Sequence, residues 1–316
     1  MTASDSPTDG AIVREDLRGT RPEPTYGGAL SFARRKYTKS LEGVDLTVLG
    51  VPFDTATTNR SGARLGPRAI RAASSIMAWE RPYGMPFDPF DKLAVSDYGD
   101  CFFDFGVPGN VPREIEETAF GILDRGTALL TLGGDHFISY PLLKAHAAKH
   151  GDGIALLHFD AHSDTWKEDG ERIDHGTMFY HAAKDGLIDP AHSVQIGIRT
   201  TNPDSHGFNV LDAPWVHENG IDAVVASAKD RVGERPVYVT FDIDCLDPSF
   251  APGTGTPVCG GLSTHQAMAI LRGLSGVRII GADVVEVAPA YDVGEITALA
   301  AAHIAMEMVC LFALRP

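Results

Sequence analysis

The chain has 316 residues, of which 44% are hydrophobic, and a formal net charge of −15. This composition is sufficient for one large folded domain or two smaller ones. The negative charge argues against nucleic-acid binding, because phosphates would be repelled, and it is compatible with a small cationic substrate. No run of eighteen apolar residues occurs, so we expect no membrane span.

The N-terminal segment is polar and lacks the apolar core of a secretory signal. We therefore expect a flexible arm over residues 1–24 and a single domain over residues 25–316. The four cysteines show no C-x-x-C spacing, and a disulfide framework is not expected in a chain of this length. Together these features favour a cytoplasmic location.

Eight short apolar runs predict the strands of a sheet. They are continuously apolar rather than alternating, which is typical of parallel strands covered on both faces. The runs lie at residues 46–51, 93–95, 128–132, 154–159, 194–198, 208–211, 237–241 and 279–285.

Amphipathic helices are predicted between or after these runs, at residues 67–78, 112–125, 141–150, 264–274 and 296–314. The first three have proline near the first turn, and Ser263 or Thr264 is the expected N-cap of the fourth. Alternating strands and helices predict one doubly wound α/β domain, in which ligands bind beyond the carboxyl ends of the strands.

Acidic and imidazole side chains follow three of the predicted strands. Side chains two residues apart in an extended segment share one face, so the D-x-H-x-D and D-x-D motifs can each converge. Charges at buried strand ends are costly unless something compensates them. The resulting candidate metal ligands are His136, Asp160, His162, Asp164, Asp242 and Asp244.

The type of ligand indicates the type of metal. Many carboxylates, two imidazoles and no thiolate suit a hard or borderline cation such as Mn²⁺. Zinc is the alternative, although it more often recruits additional His or Cys. Four carboxylates balance two divalent ions, and such ions turn a bound water into a nucleophile. Either motif alone is weak, but their joint occurrence at successive strand ends predicts a two-metal hydrolase.

Four other polar residues lie near these motifs. His175 lies in a loop beyond the second motif and is a candidate proton shuttle, the alternative being a loop histidine without a role. Glu286 follows the last strand and suits a bidentate contact with a guanidinium group, the alternative being a structural ion pair. We expect His158 to be a hydrogen-bonded core histidine and Asp135 to point away from the ligands.

Five sequence motifs resemble those of the ureohydrolases, the arginase and agmatinase family. They are GGDHF at 133–137, DAHSD at 160–164, DHGTMF at 174–179, FDIDCLDPSFAPGTGTP at 241–257 and DVVEVAPAYD at 283–292. The resemblance extends over residues 44–311 and is strongest to the agmatine-hydrolysing members. The family motif DAHTD appears here with Ser163 in place of threonine, which retains a hydroxyl group.

The resemblance implies a three-layer α/β/α sandwich around a mainly parallel sheet of about eight strands. It also implies two Mn²⁺ ions and a homo-oligomer, a trimer or a hexamer. One ion would be bound by His136, Asp160, Asp164 and Asp242, and the other by Asp160, His162, Asp242 and Asp244. His175 would be the proton shuttle, Glu286 would hold the guanidinium group, and Asp164 would pass a proton to the leaving amine.

The activity implied by the resemblance is hydrolysis of agmatine to putrescine and urea. The acidic loop at residues 165–174 lacks the Asn and Ser groups that arginases offer to an α-amino acid, which favours a substrate ending in an amine. Alternatively, these charges only solvate the loop. Trp166 either lines the methylene chain of the substrate or packs under the loop. Guanidinobutyrase or arginase-like activity, and a non-catalytic metal-binding member, remain the other hypotheses.

Overall fold

A computed structural model describes residue 11, residues 23–168, residue 170 and residues 172–316. In this part of the chain, nine strands form one sheet in the order β1-β3-β2-β4-β9-β8-β5-β6-β7, and every neighbouring pair is parallel. The strands are β1 (Lys36–Tyr37), β2 (Leu46–Val51), β3 (Val95–Asp100), β4 (Ala128–Gly133), β5 (Ala155–Phe159), β6 (Val194–Ile196), β7 (Asn209–Leu211), β8 (Val237–Asp242) and β9 (Ile279–Val285).

Eight α-helices accompany the sheet in the described residues. They are α1 (Gly66–Ser74), α2 (Pro89–Lys92), α3 (Val111–Leu123), α4 (Ser139–His150), α5 (Met178–Lys184), α6 (Ala213–Val232), α7 (Thr264–Gly273) and α8 (Ile296–Phe312). Ser263 is the N-cap of α7 and forms a capping box with Gln266, which satisfies backbone donors at the start of the helix.

Helices cover both faces of the sheet. One apolar cluster joins the sheet to α1, α6, α7 and α8, and a second joins it to α3, α4 and α5. Successive strand residues alternate between the two clusters, as Leu156 and Leu157 do in β5. This alternation explains why the strands read as continuous apolar runs. The predicted three-layer α/β/α architecture is confirmed, with nine strands instead of about eight.

Several predicted boundaries differ from the structure. β1 was not predicted because its two residues are exposed and no apolar run marks it. β3 begins at Val95 and continues to Asp100, beyond the run at 93–95. The 20-residue helix α6 was also not predicted, and its backbone is non-helical at Gly220 (φ 80°). The N-terminal arm predicted over residues 1–24 lies almost wholly outside the described residues.

The four cysteines are unpaired, and three of them are buried. None of the described helices is long and apolar enough to cross a membrane. Strands β4, β9, β8 and β5 are adjacent in the middle of the sheet. Their carboxyl ends therefore meet at one edge, and the loops that follow them carry the candidate ligands.

Candidate metal centre and substrate cavity

The first cluster of candidate ligands surrounds His136, which begins a short 3₁₀ turn after β4. Its Nδ1 atom lies 3.1 Å from Asp160 Oδ2, 3.0 Å from Asp164 Oδ2 and 3.4 Å from Asp242 Oδ2. A Cβ atom at Gly134 would come within 1.7 Å of the Phe53 carbonyl oxygen, so only glycine permits the close approach that precedes this turn.

The second cluster surrounds His162, which follows β5. Its Nδ1 atom lies 3.1 Å from Asp244 Oδ2 and 3.4 Å from Asp160 Oδ1. Asp160 therefore presents one carboxylate oxygen to each histidine. The two clusters are adjacent and share Asp160, as the two halves of a binuclear centre would.

The hydrogen bonds of His136 determine which of its ring nitrogens carries the proton. Its Nε2 atom lies 2.7 Å from Thr240 Oγ1, and the Thr240 hydroxyl donates to Asp283 Oδ1 at 2.6 Å. Because the threonine proton is used in that bond, Nε2 of His136 must be the donor to Thr240. Nδ1 then points its lone pair at three carboxylates, and it has no hydrogen-bond partner.

A bound cation would satisfy both the Nδ1 lone pair of His136 and the three carboxylates that it faces. Burial alone would lower the pKa of His136, but the close carboxylates of Asp160 and Asp164 raise it well above its ordinary value. Burial and the charges of Asp244 and Asp160 raise the pKa of Asp242 well above its ordinary value. The site therefore demands positive charge, and its two imidazoles and four carboxylates fit a pair of hard or borderline divalent ions.

Asp164 and Glu286 have a left-handed backbone, with φ of 50° and 64°. This conformation is uncommon for residues with a side chain and costs on the order of 1–3 kcal/mol at each position. Both residues were candidates from the sequence; Glu286 directly follows β9, and Asp164 lies in the loop after β5. Such strain is typical of functional sites, where surrounding structure holds a side chain in a required direction.

His158 is the hydrogen-bonded core histidine that was predicted. It is fully buried, and its Nδ1 atom lies 3.1 Å from Gln195 Nε2, which also donates to the Ser163 carbonyl at 2.6 Å. Nδ1 therefore accepts, and Nε2 donates to Asp160 Oδ2 at 2.7 Å. His158 lies among the atoms that could hold an ion, but both of its nitrogens are already engaged in orienting Asp160.

His175 and Glu286 are in direct contact. His175 Nδ1 lies 2.9 Å from Glu286 Oε1, and the backbone N–H of Thr58 donates to His175 Nε2 at 2.8 Å. Burial lowers the pKa of His175, but the hydrogen bond and charge of Glu286 raise it to about 9. The two effects oppose each other: Glu286 favours the charged imidazolium, whereas a second proton on Nε2 would require the Thr58 amide to leave. The observed bonds therefore fit the tautomer protonated at Nδ1.

Glu286 has one engaged and one free carboxylate oxygen. Oε1 accepts hydrogen bonds from the backbone N–H of His136 and from His175, whereas Oε2 is buried without a partner. A Cβ atom at Gly255 would lie 3.6 Å from Oε2, an ordinary van der Waals contact, so this oxygen faces the backbone at Gly255. No lysine or arginine in the described part of the chain forms an ion pair with Glu286, which disfavours the alternative of a structural ion pair.

A cavity of about 290 Å³ opens beside the two clusters; Glu286 is not part of its lining but contacts His175, which is. Its lining includes four of the predicted residues: His162, Asp164, His175 and Asp242. Thr58 and Thr256 also line it and were not singled out in the sequence, since threonines in loops carry no pattern. Thr256 donates to Asp244 Oδ2 at 3.2 Å.

Asp135 is fully buried and accepts from the backbone N–H of Ala56, outside both ligand clusters.

Comparison with known proteins agrees with this geometry. A family model described as the arginase family matches residues 44–310. The chain belongs to the arginase family. It is 60% identical to an agmatinase of Chromobacterium violaceum, over 96% of this chain and 94% of the relative. Members of this family are binuclear metal enzymes, and the groups around His136 and His162 are ones that could hold metal ions.

Solved structures of the family share this fold. A hypothetical agmatinase from Burkholderia thailandensis has a TM-score of 0.94 and 61% identity, covering 97% of this chain and 98% of that one. A proclavaminate amidino hydrolase from Streptomyces clavuligerus has a TM-score of 0.85 and 39% identity, covering 92% of this chain and 99% of that one. The resemblance inferred from the five motifs is confirmed.

Proposed function

We propose that this chain is an agmatine ureohydrolase, which hydrolyses the guanidinium group of agmatine to give putrescine and urea. The observation that carries the proposal is the unpartnered Glu286 Oε2, which lies beside two carboxylate clusters that share Asp160. A planar cation held by a carboxylate next to a binuclear centre is the arrangement that guanidinium hydrolysis needs. The 60% identical relative named an agmatinase supports agmatine as the substrate.

The metal centre is proposed as two Mn²⁺ ions. His136, Asp160, Asp164 and Asp242 would hold one ion, and Asp160, His162, Asp242 and Asp244 the other. When bound, such ions lower the pKa of a water molecule and so supply a nucleophile near neutral pH. The carboxylate-rich donor set supports manganese over zinc.

The side chains of the chain itself orient the substrate. Glu286 Oε2 accepts the guanidinium N–H groups, while the bonds of Oε1 to His136 and His175 fix the carboxylate plane. This fixed orientation holds the central guanidinium carbon toward the metal clusters. Asp164 lines the cavity, which supports its proposed role of passing a proton to the leaving amine. His175, which also lines the cavity, exchanges protons with solvent.

The lining of the cavity favours agmatine over guanidino acids. Among the described residues that line it, none is a lysine or an arginine that would hold a substrate carboxylate. The net charge of −15 likewise favours a substrate with a cationic tail. Guanidinobutyrase and arginase-like activity therefore rank below agmatine hydrolysis.

Turnover of three substrates tests this proposal. Urea release from agmatine, arginine and 4-guanidinobutyrate is measured with the manganese-loaded chain at equal concentrations. We expect kcat/KM to be largest for agmatine. A larger value for arginine or for 4-guanidinobutyrate would overturn the choice of substrate. No urea from any of the three would favour a non-catalytic member.

Assembly, domain extent and location also remain proposals. We infer a homo-oligomer, a trimer or a hexamer, from the family resemblance and from exposed aromatic residues such as Phe102 and Phe105, which are 85% and 89% exposed. One catalytic domain over residues 25–316 in the cytoplasm is consistent with the single sheet and the unpaired cysteines. Light scattering after size-exclusion chromatography measures the assembly.

A further inference from the structure

Trp166 lies at the wall of the substrate cavity. The residue is 50% exposed and lines the cavity together with Asp164, His175 and Asp242. A tryptophan that only packed under the loop would be buried, so the structure favours the other role considered for it. A half-exposed indole beside a buried acidic centre offers a large apolar face to whatever enters.

The position of Trp166 is fixed by the loop that precedes α5. Its backbone N–H donates to the Gly176 carbonyl at 3.0 Å, which ties the segment after Asp164 to the segment that carries His175. A Cβ atom at Gly176 would lie 3.9 Å from Trp166 Cδ1, so the edge of the indole lies against this glycine. The edge of the indole thus lies against the segment that carries His175, and the rest of the half-exposed ring is left to border the cavity.

The carboxylates of the cavity are engaged elsewhere. Three line it among the described residues, and Asp164 and Asp242 belong to the metal clusters. Asp174 accepts the Gly176 N–H through Oδ1 at 3.0 Å and pairs with Arg172 through Oδ2 at 2.7 Å. In this part of the lining, no free carboxylate remains for the ammonium group at the far end of agmatine.

We propose that Trp166 determines specificity for the tail of the substrate, an inference that rests on the proposed function. The indole face covers the methylene chain, and it holds the terminal ammonium group by a cation–π interaction. The guanidinium group is held separately by Glu286. Trp166 is therefore a residue that selects a cationic tail and leaves the reacting atoms untouched.

The test compares substrates that differ only at the tail. Agmatine, pentylguanidine and 4-guanidinobutyrate end in an ammonium, a methyl and a carboxylate group. In Trp166→Leu, we expect kcat/KM for agmatine to fall about 3- to 30-fold, mainly through KM. Pentylguanidine should change much less, because leucine keeps an apolar wall. Trp166→Phe should retain most of the preference, since it keeps an aromatic face.

One further variant should reverse the preference for the substrate tail, and another is a control outside the cavity. Trp166→Lys should raise the ratio of 4-guanidinobutyrate to agmatine turnover at least tenfold, because a cation now faces the tail. Tyr83→Leu, which removes a 96% exposed aromatic side chain that is not part of the cavity lining, should leave all ratios unchanged.

The outcomes separate this inference from the proposed function. If the wild-type chain hydrolyses agmatine but Trp166→Leu keeps the agmatine-to-pentylguanidine ratio within twofold, the inference is wrong and the function stands. Equal loss on all three substrates would also overturn it, since Trp166 would then act on the shared guanidinium group. If the wild-type chain releases no urea from agmatine, the proposed function itself fails.

Discussion

His175 Nδ1 and Glu286 Oε1 lie 2.9 Å apart, although 111 positions separate the two residues in the chain. The contact leaves the second oxygen of Glu286 without a partner. One carboxylate oxygen therefore holds a loop histidine, and the other is left for the proposed contact with the guanidinium group. The negative charge of Glu286 acts on His175 and on the proposed guanidinium group. A variant that removes this charge therefore tests both contacts.

Glu286→Gln should keep the fold and the metal, because an amide can still accept the backbone N–H of His136. It removes the charge that would bind the guanidinium group. We expect kcat/KM for agmatine to fall roughly 100- to 1,000-fold, the size associated with losing one partner of a buried charge pair. Steady-state kinetics with metal analysis of the same sample measures this. Activity within threefold of wild type, at full metal content, would exclude Glu286 as the anchor.

Metal stoichiometry distinguishes Asp160, which is proposed to bind both ions, from His162, which is proposed to bind one. His162 contacts only the second cluster, whereas Asp160 faces both histidines. After dialysis against manganese, His162→Ala should retain about one ion and Asp160→Ala close to none. His192→Ala is a matched control, because His192 pairs with Asp189 at 2.8 Å outside the site. Two retained ions in Asp160→Ala would contradict the shared role of this carboxylate.

Thr240 orients His136 without contacting the proposed ions. Its hydroxyl links His136 Nε2 to Asp283, and Asp283 also accepts from Ser139 and Tyr238. Thr240→Val should weaken metal affinity roughly 10- to 100-fold, because Nδ1 is no longer held as the free lone pair. Thr240→Ser keeps the hydroxyl and should remain near wild type. Competition with a fluorescent chelator measures both, and equal affinities for Val and Ser would refute the orienting role.

We predict that His146 makes folding stability depend on pH. It is fully buried, and burial lowers its pKa from 6.5 to about 4. Between these values the unfolded chain binds a proton that the folded chain does not. Stability therefore falls as pH drops through this window, by about 1.4 kcal/mol per pH unit, and the effect is absent above it.

His146→Leu should remove this part of the pH dependence. The measurement is denaturant unfolding of wild type and variant at pH 7.5, 6.0 and 5.0, comparing the slopes with pH. His303→Leu is the control, because His303 also bonds a carbonyl four residues earlier on a helix but is not fully buried. A slope for His146→Leu as steep as that of wild type would rule out this contribution.

Sequence patterns predicted the structure best where burial or strand geometry restricts the residues that can occur. Continuous apolar runs predicted β2 and β9 to the residue, since both are buried on both faces. Residues two apart after β5 and β8 predicted which carboxylates would meet. β1 and α6 were missed because β1 is short and exposed and α6 contains a non-helical glycine.

Other parts of the site depend on tertiary contacts that no local pattern encodes. Thr58 reaches His175 across 117 positions, and Thr240 is positioned by Asp283 from the neighbouring strand. The free oxygen of Glu286 could not be foreseen either, because it follows from where His136 and His175 donate. A polar residue inside a buried strand, such as Thr240, is the signal that could have indicated an orienting role.

Titration of the metal-free chain with Mn²⁺, followed at each step by urea release from agmatine, tests the central claim most directly. We predict that no urea forms without metal, and that full activity requires two bound ions per chain. If two ions bind and none of the guanidino substrates yields urea, or if the metal-free chain is fully active, the account of this site is contradicted.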